Sequence, residues 1–598
     1  MLILGISGLD RTSALKKAMM PGLDWREQRL VQGLDSAAAL VDENGVIAAS
    51  AQERHDGDKG TGAFPVDAVA ACLRMAGVTM DEVDLVAHGF RYEPSPAFEL
   101  DDYLRRWYQE AYREEVQLEV LRAHYPDQDW ERKLVRVPHH LAHAASSYHL
   151  SGFDDATVLV TDGMGESEST SLFRGSGGEL RTTRTYPISS SIGILYSVVT
   201  QYLGFLPGMD EYKVMGLAPY GRPEVFPDAA LVSLRSGGRL SVPLLAHDRT
   251  PEERETHRGA IRRLEEIFGP ARHPDAPVTQ RHMDIAAVLQ RSVEESLLFV
   301  LRENQAAEGA GSSRKLCMAG GVALNCTANG LIARSGLFDE VFVQPAAGDD
   351  GTALGAALQV LRTHVPAKPQ RMAMPYWGEE FGEEEIVRAV RTLGDGHQVR
   401  RLPGDLLLKE VSALIGSGAV VSWYQGRMEF GPRALGNRSI LADPTAPDMR
   451  AHLNTVVKQR EEFRPFAPAV VAEEAREYFE IEPGQERMYR HMLFVTQVRE
   501  QYRALLPSIT HVDGSARVQV VEREDAPRFH ALIQQFGQDH GTPMVLNTSF
   551  NLKGQPIVRT PQEAVDTYAR STLDALAIGD WLVVREPVAP VPAGGTDA

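Results

Sequence analysis

Short apolar runs separated by turn residues open the chain and return in the same order further on. Each series has three runs of strand length, interrupted by turns rich in glycine, asparagine or aspartate. The pattern predicts two three-stranded meanders. The predicted strands are Leu2–Ser7, Ala37–Asp42, Val46–Gln52, Thr157–Thr161, Ser169–Arg174 and Leu180–Tyr186.

The segments after the second meander have a longer apolar period. Ile192–Leu203 and Asp284–Asn304 are predicted helices, Lys315–Ala319 and Glu340–Val343 are predicted buried strands, and the sequence GDDGTALGAAL opens another helix. Two meanders, each with an acidic residue at a turn, indicate an α/β fold for residues 1–364. We expect the duplicated ribonuclease-H-like fold of actin-like ATPases, which is shared by sugar kinases, actin and Hsp70.

A second α/β domain is predicted after a short linker. Residues 365–375 have three prolines and no clear period, so we expect the linker there. In residues 376–588, Leu406–Gly416 is a predicted helix and Ala419–Tyr424 a predicted strand. Residues 589–598, rich in proline, glycine and alanine, predict a flexible tail.

Length and composition are typical of an enzyme with several subdomains: 598 residues, 43% hydrophobic and 24% charged. The formal net charge of -19 argues against binding a nucleic acid backbone. Three scattered cysteines do not make a disulfide framework, and no stretch approaches the roughly 20 apolar residues of a membrane span. We therefore expect a cytoplasmic protein with neither nucleic acid nor membrane as a partner.

The motif HHLAH contains candidate metal ligands. His139 and His143 are four residues apart, so on a helix they share a face, whereas His140 points elsewhere. Asp162 ends a predicted strand and Asp349 lies where a strand passes into a helix, and such strand ends meet at the cleft of an α/β fold. Two imidazoles and two carboxylates suit iron(II), manganese or zinc. For the histidine pair alone, exposed histidines at a helix start are an equal alternative.

Residues 425–468 combine cations with glycines and prolines, and the cations do not follow one helical spacing. Arginine forks on a bent backbone suit several phosphate or carboxylate oxygens at once, so this segment predicts a local anion site. Exposed loop charges are the alternative for the KxR pair, although the rigid apolar FRPFAP that follows favours a pocket wall. The cations are Arg427, Arg433, Arg438, Lys458, Arg460 and Arg464.

Three further segments add polar or flexible residues to these candidate sites. The glycine turn Ala319–Asn325 would let backbone approach a nucleotide closely, although tight packing explains a Gly-Gly pair equally well. THVDGSARVQ contributes His511 and Arg517, and LNTSFN contributes Ser549 and Asn551.

Together these motifs resemble the NodU/CmcH-type carbamoyltransferases, the family of the tobramycin, cephamycin and ansamycin carbamoylating enzymes. The resemblance covers nearly the whole chain, from residue 35 to about residue 560, and GRMEFGPRALGNRSIL and FRPFAP are its most specific parts. The other matching segments are DSAAALV, HHLAHAASSYH, VTDGMGE, EYKVMGLAPYG, AGGVALN, GDDGTALGAA, REEFRPFAP, HVDGSARVQ and LNTSFN.

The resemblance implies an actin-like first domain, related to the threonylcarbamoyl transferases, and a YrdC-like second domain. The second domain would make carbamoyl-adenylate from carbamoyl phosphate and ATP, with magnesium accompanying ATP. The first would transfer the carbamoyl group to a small natural product, as in antibiotic biosynthesis, with a divalent metal for which iron(II) is favoured. A homodimer is compatible with this assignment.

The resemblance also implies roles for individual residues. The metal would be held by His139, His143, Asp162 and Asp349, of which His139 and Asp162 would also be catalytic. Adenylate contacts in the first domain would be Lys213, Gly320, Gly321 and Asn325. Nucleotide and carbamoyl phosphate contacts in the second would be Arg427, Arg433, Arg438, Lys458, Arg460, Arg464, His511, Arg517, Asn547, Ser549 and Asn551.

One departure from the family pattern concerns the base that deprotonates the acceptor. The family has His-Asp-Ser-Ala-Ala near its N-terminus, and Leu34 replaces that histidine here, directly before Asp35. His55 is a replacement base or an exposed loop histidine, and Lys59 is a candidate acceptor or phosphate contact. Asp35, His55 and Lys59 are therefore the other candidate catalytic residues. The long insertion 11–32 is a candidate wall of the acceptor pocket.

Two other functions compete with transfer to a small molecule. One is carbamoyl or threonylcarbamoyl transfer to a macromolecule, such as a tRNA or a maturation protein, against which the acidic charge and the absence of Cys-x-x-Cys repeats argue. The other is a non-catalytic nucleotide sensor of the actin-like class. The identity of the acceptor, and O- versus N-carbamoylation, do not follow from the sequence.

Overall fold

The computed structural model describes residues 1–585. The predicted tail 589–598 therefore lies outside the described residues, as do the last three residues of the predicted second domain. Within residues 1–585 no helix has the length and apolar character needed to cross a membrane.

The first sheet has five strands: β1 (Ile3–Ile6), β2 (Ala37–Asp42), β3 (Gly45–Ala51), β4 (Leu85–His88) and β5 (Leu134–Arg136). Their order is β3-β2-β1-β4-β5. The first three strands form an antiparallel meander, and β4 and β5 continue the sheet parallel to β1. β1 is buried along its whole length and β2 along nearly all of it, which explains their continuous apolar sequences.

The second sheet repeats this topology. Its strands are β6 (Asp155–Thr161), β7 (Glu168–Ser176), β8 (Glu179–Pro187), β11 (Lys315–Ala319) and β12 (Glu340–Val343), and the hairpin β9 (Ser233–Arg235) and β10 (Arg239–Ser241) lies between them in the chain. The order β12-β11-β6-β7-β8 again joins a meander to two parallel strands. The predicted duplicated fold is confirmed, because two sheets have the same strand order and the same directions.

The C-terminal part is built on a mixed eight-stranded sheet of order β13-β22-β21-β14-β15-β20-β16-β19. The α/β character predicted for this part is confirmed. Its strands, and those of the small sheet β17-β18, are β13 (His397–Arg401), β14 (Val421–Tyr424), β15 (Arg438–Ala442), β16 (Ala467–Val471), β17 (Val495–Gln497), β18 (Ser515–Arg517), β19 (Gln519–Val521), β20 (Met544–Ser549), β21 (Ala575–Ile578) and β22 (Trp581–Arg585).

Helices cover the sheets. In the N-terminal half they are α1 (Thr12–Met19), α2 (Trp25–Gln28), α3 (Glu53–Asp56), α4 (Val66–Ala76), α5 (Pro96–Leu100), α6 (Asp102–Trp107), α7 (Glu114–His124), α8 (Trp130–Lys133) and α9 (His139–Ser151). The middle of the chain has α10 (Ile192–Tyr202), α11 (Glu211–Leu217), α12 (Pro251–Thr256), α13 (Arg258–Phe268), α14 (Gln280–Glu308), α15 (Cys326–Arg334) and α16 (Asp350–His364). The C-terminal part has α17 (Glu383–Val390), α18 (Asp405–Gly416), α19 (Met449–His452), α20 (Ala475–Tyr478), α21 (Glu500–Arg503), α22 (Pro527–His540) and α23 (Pro561–Arg570).

Helices α9 and α16 cross at very short range. A Cβ atom added to Gly355 of α16 would lie 1.7 Å from the carbonyl oxygen of Ala142 and 3.0 Å from Cβ of Ser146, both in α9. Glycine is therefore required at this position for a steric reason. The crossing fixes α9 against α16 close to their N-terminal ends.

The C-terminal part packs directly on the second ribonuclease-H-like unit. Asn329 of α15 donates to the carbonyl of Leu493 at 2.9 Å, and Arg334 donates to the carbonyl of Val495 at 2.7 Å. Residues 365–375 contain no helix or strand, but Gln370 N–H donates to the carbonyl of His149 at 2.9 Å. The linker is thus bound to α9.

Candidate functional site

The structure brings the four predicted metal ligands together. His139 and His143 lie on the first turns of α9, Asp162 follows the last residue of β6, and Asp349 is the N-cap of α16. One ligand atom from each residue lies within 4.8 Å of the corresponding atom of every other. The site is at the C-terminal ends of the parallel strands, as expected for this class of fold.

The distances between these atoms fit a single divalent cation. Nε2 of His139 lies 3.1 Å from Nε2 of His143, 3.3 Å from Oδ2 of Asp162 and 3.4 Å from Oδ1 of Asp349. Nε2 of His143 is 3.5 Å from the same oxygen of Asp349 and 3.9 Å from Oδ2 of Asp162. Bonds of about 2.1 Å to a shared metal place neighbouring ligands roughly 3.0–3.4 Å apart. The nitrogen and oxygen donors are compatible with iron(II), manganese or zinc and do not select one.

Neighbouring groups hold the ligands in these orientations. Nδ1 of His139 lies 3.0 Å from the carbonyl oxygen of Gly89, and Phe90 stacks on the His139 ring at 4.0 Å between centroids. Gly321 N–H donates to Oδ1 of Asp162 at 3.1 Å. Glu166 accepts the backbone N–H of His139 at the N-terminus of α9. Such contacts fix the histidine tautomer and the orientation of the ligand side chains.

The carboxylates of the cluster favour their charged form. Burial by itself raises the pKa of Asp162 and Asp349, but the adjacent His139 and His143 outweigh it, and both pKa values lie below the ordinary range. Burial opposes a charged His139, and Asp349 and Asp162 outweigh it to raise its pKa. His140 is different: burial and the neighbouring His139 lower its pKa to about 3, and Nδ1 lies 2.7 Å from Oγ of Ser171.

A group of acidic side chains lies beside this cluster. Asp35 has a left-handed backbone, φ 55°, and its carboxylate has neither a hydrogen bond nor an ion pair within residues 1–585. Enclosure in the cleft, with Asp350, Glu53 and Asp349 nearby, raises the pKa of Asp35, and Lys59 opposes this. Asp35 is nevertheless open to solvent along the cleft. Sequence reasoning missed Glu53 and Asp350, although Asp350 lies inside the motif GDDGTALGAAL.

The predicted anion site is a group of cations in the C-terminal part, of which Lys458 is buried and the arginines are partly buried. Arg433, Lys458, Arg460 and Arg517 have no carboxylate within ion-pair distance in the described part of the chain. Burial and mutual repulsion lower the pKa of each. Arg464 also belongs to the group, with Glu461 at 3.8 Å.

Local contacts position these cations. Nζ of Lys458 donates to the backbone oxygen of Asn551 at 2.9 Å and to its Oδ1 at 3.0 Å, and Oγ of Ser549 donates to the same Oδ1 at 2.8 Å. Arg460 donates to Oδ1 of Asn454 at 2.7 Å. Between them Gln459 adopts a left-handed φ of 46°, a strained conformation for a residue with a side chain.

The two candidate sites face one space between the N- and C-terminal parts. Lys59, which lies near Asp35, also repels Lys458 and lowers its pKa. Lys213 bridges Asp210 at 3.0 Å and Glu461 of the C-terminal part at 3.1 Å. The guanidinium of Arg464 lies over the Tyr212 ring at 4.5 Å. Neither Glu461 nor Tyr212 was singled out from the sequence.

Two predicted anion contacts have another use in the structure. Arg427 donates to the backbone oxygens of Gly378, Ile47 and Trp377, so it joins the two parts of the molecule. Arg438 is fully buried and donates to four backbone oxygens, including that of Gln425 at 2.6 Å. Their donors are taken up by carbonyl groups, and neither is among the charges that repel Arg433, Lys458, Arg460 or Arg517, so we leave both out of the anion site.

Three other predicted residues also lie apart from these clusters or have structural contacts. Asn325 caps α15 and pairs with Gln290. Asn547 donates to Gln519 at 2.8 Å beneath the loop that carries Arg433. His511 packs against Tyr220 at 5.3 Å between ring centroids.

His55 also lies apart from the metal-ligand cluster. Its Nε2 is 2.9 Å from Oγ of Ser50, and burial together with Arg559 lowers its pKa to about 4.

A carboxylate that the sequence did not reveal shapes the GPRALG loop. Oε1 of Glu429 accepts the N–H groups of Leu435 and Asn437, each at 2.8 Å, and that of Arg438 at 3.2 Å. The loop is thereby folded around a buried acceptor, which positions Arg433. A lone glutamate in a glycine-rich segment gave no signal of this role.

Comparisons with known proteins agree over most of the chain. Residues 31–358 match the family model described as carbamoyltransferase N-terminus, and residues 412–585 match carbamoyltransferase C-terminus. The chain is 38% identical to nodulation protein NolNO of Sinorhizobium fredii over 602 residues, covering 99% of this chain and 83% of that protein. It is 35% identical to 3'-hydroxymethylcephem-O-carbamoyltransferase of Amycolatopsis lactamdurans over 295 residues, which is 49% of this chain and 52% of that protein.

Among solved structures, component A of the Acidaminococcus fermentans (R)-2-hydroxyglutaryl-CoA dehydratase aligns with 61% of this chain and 99% of its own. The TM-score is 0.31 and the sequence identity 16%.

Proposed function

The chain belongs to the carbamoyltransferase family, and from that premise we propose that it makes carbamoyl-adenylate and transfers the carbamoyl group to a small molecule. Carbamoyl phosphate, ATP and one water would yield carbamoyl-adenylate, phosphate and pyrophosphate in the C-terminal part. The carbamoyl group would then pass to an acceptor hydroxyl in the N-terminal part, with release of AMP. The relative from Amycolatopsis lactamdurans is named for a hydroxymethyl acceptor, which supports an oxygen nucleophile.

The unpaired cations carry the first half of this proposal. Arg433, Lys458, Arg460 and Arg517 are enclosed without a carboxylate partner in the described residues. Burying a cation without a counter-charge costs free energy, and a polyphosphate would supply that charge. Preorganised guanidinium groups also stabilise charge that spreads over phosphate oxygens during transfer. Magnesium accompanying ATP belongs to this half of the proposal.

The second half uses the four-residue cluster and Asp35. A divalent ion held by His139, His143, Asp162 and Asp349 would polarise the phosphate of the adenylate when bound. Asp35 is the candidate that takes the proton from the acceptor hydroxyl, since its carboxylate is unpaired and opens into the cleft. Lys59 would contact the phosphate. The hydroxyl oxygen forms a bond to the carbamoyl carbon, and the bond from that carbon to the AMP oxygen breaks.

The shared space between the two sites supports direct transfer of the intermediate. Lys59 and Tyr212 lie beside the cations of the C-terminal part, and Lys213 pairs with Glu461 of the same part. An acyl-phosphate anhydride is hydrolysed readily in bulk water, so a short enclosed route protects it. Its negative charge would be accompanied by cations along this route.

Pyrophosphate exchange tests the adenylate half directly. Labelled pyrophosphate should enter ATP when carbamoyl phosphate is present and should not enter when it is omitted. Carbamoyl-adenylate should be trapped from labelled carbamoyl phosphate in the absence of an acceptor. Pyrophosphate exchange that does not depend on carbamoyl phosphate, or carbamoyl transfer that proceeds without ATP, would contradict the mechanism.

Replacement of Asp35 tests the transfer half. Asp35→Asn should lower carbamoyl transfer by about 100-fold or more, the usual contribution of a general base. Pyrophosphate exchange should be unchanged, since Asp35 lies outside the cation group. The exposed Asp228 provides a matched control, because Asp228→Asn makes the same chemical change away from both sites. The readout is single-turnover transfer to an acceptor identified by its mass gain on carbamoylation, and unchanged transfer in Asp35→Asn would exclude this role.

A further inference from the structure

Arg362, near the C-terminal end of α16, is a buried cation with no assigned role. The residue is 7% exposed, and its Nε and Nη1 atoms are enclosed without a hydrogen-bond partner. No carboxylate among residues 1–585 lies within ion-pair distance of its guanidinium. Burial lowers the pKa of Arg362, and no charged neighbour opposes this effect. Two of the three guanidinium nitrogens therefore lack hydrogen bonds, and the group has no counter-charge among the described residues.

His149, in the last turn of α9, is enclosed beside it. The residue is 1% exposed, and within the described residues neither ring nitrogen meets the full geometry of a hydrogen bond, although the Gln359 side chain lies close enough to interact with the ring. Burial lowers the pKa of His149 to about 4, the Gln359 side chain partly opposes this, and Arg362 lowers it further. The ring is therefore neutral at neutral pH and offers one N–H donor.

The packing of α9 and α16 explains why these two residues meet. The helices touch at Ala142 and Gly355, and His149 and Arg362 each follow by seven residues. Seven residues are two turns, or about 10 Å, along a helix, so positions seven apart lie on one stripe. A donor from each helix is thus placed in the same seam, under the linker residue Gln370, whose N–H binds the His149 carbonyl.

We propose that Arg362 and His149 form a binding site for a small monovalent anion, such as chloride. A buried charge must be paired to be tolerated, and donors without acceptors carry the full cost of lost hydration. An anion accepts from both residues and cancels the single positive charge. Its size is limited by the close seam, which favours a monatomic ion over a phosphate.

The site goes beyond the proposed reaction, because neither residue belongs to the clusters that would bind the reactants. Its position still matters for the fold. The first turns of α9 and the N-cap of α16 hold three of the four predicted metal ligands, and Arg362 and His149 lie near the other ends of the same two helices. A bound anion would fix the helices against each other at both ends of the seam.

The test is thermal unfolding of the full chain in sodium chloride and in sodium gluconate at equal ionic strength. An ion that binds only the folded state raises the Tm with its concentration. We expect the Tm of the wild type to rise saturably with chloride, by about 2 °C or more for a chain of this size. Arg362→Met should abolish this dependence. His149→Phe is a second variant that preserves the test if the first does not fold.

Arg302→Met is the matched control, because Arg302 is an exposed arginine on another helix. It should keep the chloride dependence of the wild type. The proposal is overturned if the wild-type Tm is the same in chloride and gluconate. It is also overturned if Arg362→Met raises the Tm at every chloride concentration, since an unpaired charge would then be simply unfavourable. In that case the positive charge of Arg362 would be balanced only by the partial negative charge on the last carbonyl groups of α16.

Discussion

At the scale of single residues, the molecule separates cations that hold structure from cations that are free to bind. Arg427 and Arg438 donate hydrogen bonds to backbone carbonyl groups. Arg433 and Arg517 have enclosed guanidinium nitrogens without a carboxylate partner in the described residues. The same segment of sequence supplies both kinds. Exposure and hydrogen-bond partners, more than residue type, therefore define the anion site.

Replacement of a single predicted metal ligand should separate metal binding from folding. His143→Ala should lose the divalent ion and carbamoyl transfer, because the remaining donors leave one position open. The change removes a buried ring but no backbone contact, so the fold should persist. Elemental analysis and circular dichroism of the purified variant measure both effects. Stoichiometric metal in a variant lacking both His139 and His143 would exclude this site.

His55 should affect stability at low pH more than catalysis. Its folded pKa is about 4, below its ordinary value of 6.5, so protonation favours the unfolded state. Its contribution to stability is present above pH 6.5 and is lost as the pH falls toward 4. His55→Asn should therefore show a smaller drop in Tm between these pH values than the wild type. Transfer at neutral pH should fall by less than about 10-fold, and a loss of 100-fold would identify His55 as the base.

At the scale of elements, two helices that enter the same cleft determine the metal geometry. α9 contributes both histidines and α16 contributes Asp349, and their separation is set where Gly355 meets Ala142. Interiors are packed too densely to absorb a displaced helix, so a change at this crossing is transmitted to the ligands.

Gly355→Ala tests this crossing. Alanine is favoured over glycine in a helix by about 1 kcal/mol, but its Cβ would overlap the Ala142 carbonyl. We expect the clash to outweigh the preference and to destabilise the protein by about 1–3 kcal/mol, with weaker metal binding. Denaturant unfolding and metal titration measure the two effects. Gly394→Ala is the control, since a Cβ there meets no atom within 4 Å. Equal behaviour of the two variants would show that the helices adjust freely.

At the scale of the whole molecule, two chemically opposite surfaces face each other. The C-terminal part presents unpaired cations, and the N-terminal part presents Asp35, Glu53 and Asp350 beside the metal ligands. A polyanion is favoured on the first surface and a cation on the second. This polarity is the physical basis for assigning the two half-reactions to different parts.

The division of labour predicts opposite effects for two variants. Arg460→Ala should abolish pyrophosphate exchange, because it removes a charge from the proposed nucleotide site. His139→Ala should leave exchange intact and block only the appearance of carbamoylated product. Exchange and product formation are measured in the same preparation. Equal loss of exchange in both variants would show that the half-reactions are not separated.

The sequence by itself determined the two meanders, the fold class and most ligand candidates. Alternating apolar and turn residues predict the two meanders, because burial and local backbone preference act within a few residues. The spacing of His139 and His143 likewise encodes a shared helical face. Asp162 and Asp349 were predicted for the same reason, since each follows a strand that the local pattern predicts.

Only the tertiary structure decided which side chains meet and which donors stay free. Glu429 accepts hydrogen bonds that shape the GPRALG loop, and Glu53 and Asp350 lie beside Asp35. Arg427 donates to a backbone carbonyl of the N-terminal part. His55 lies in α3 and Asp349 caps α16, so their separation depends on how these two helices pack. These contacts join residues that are distant in the chain, so they depend on burial and on competition for hydrogen-bond partners. No periodic pattern in the sequence predicts them.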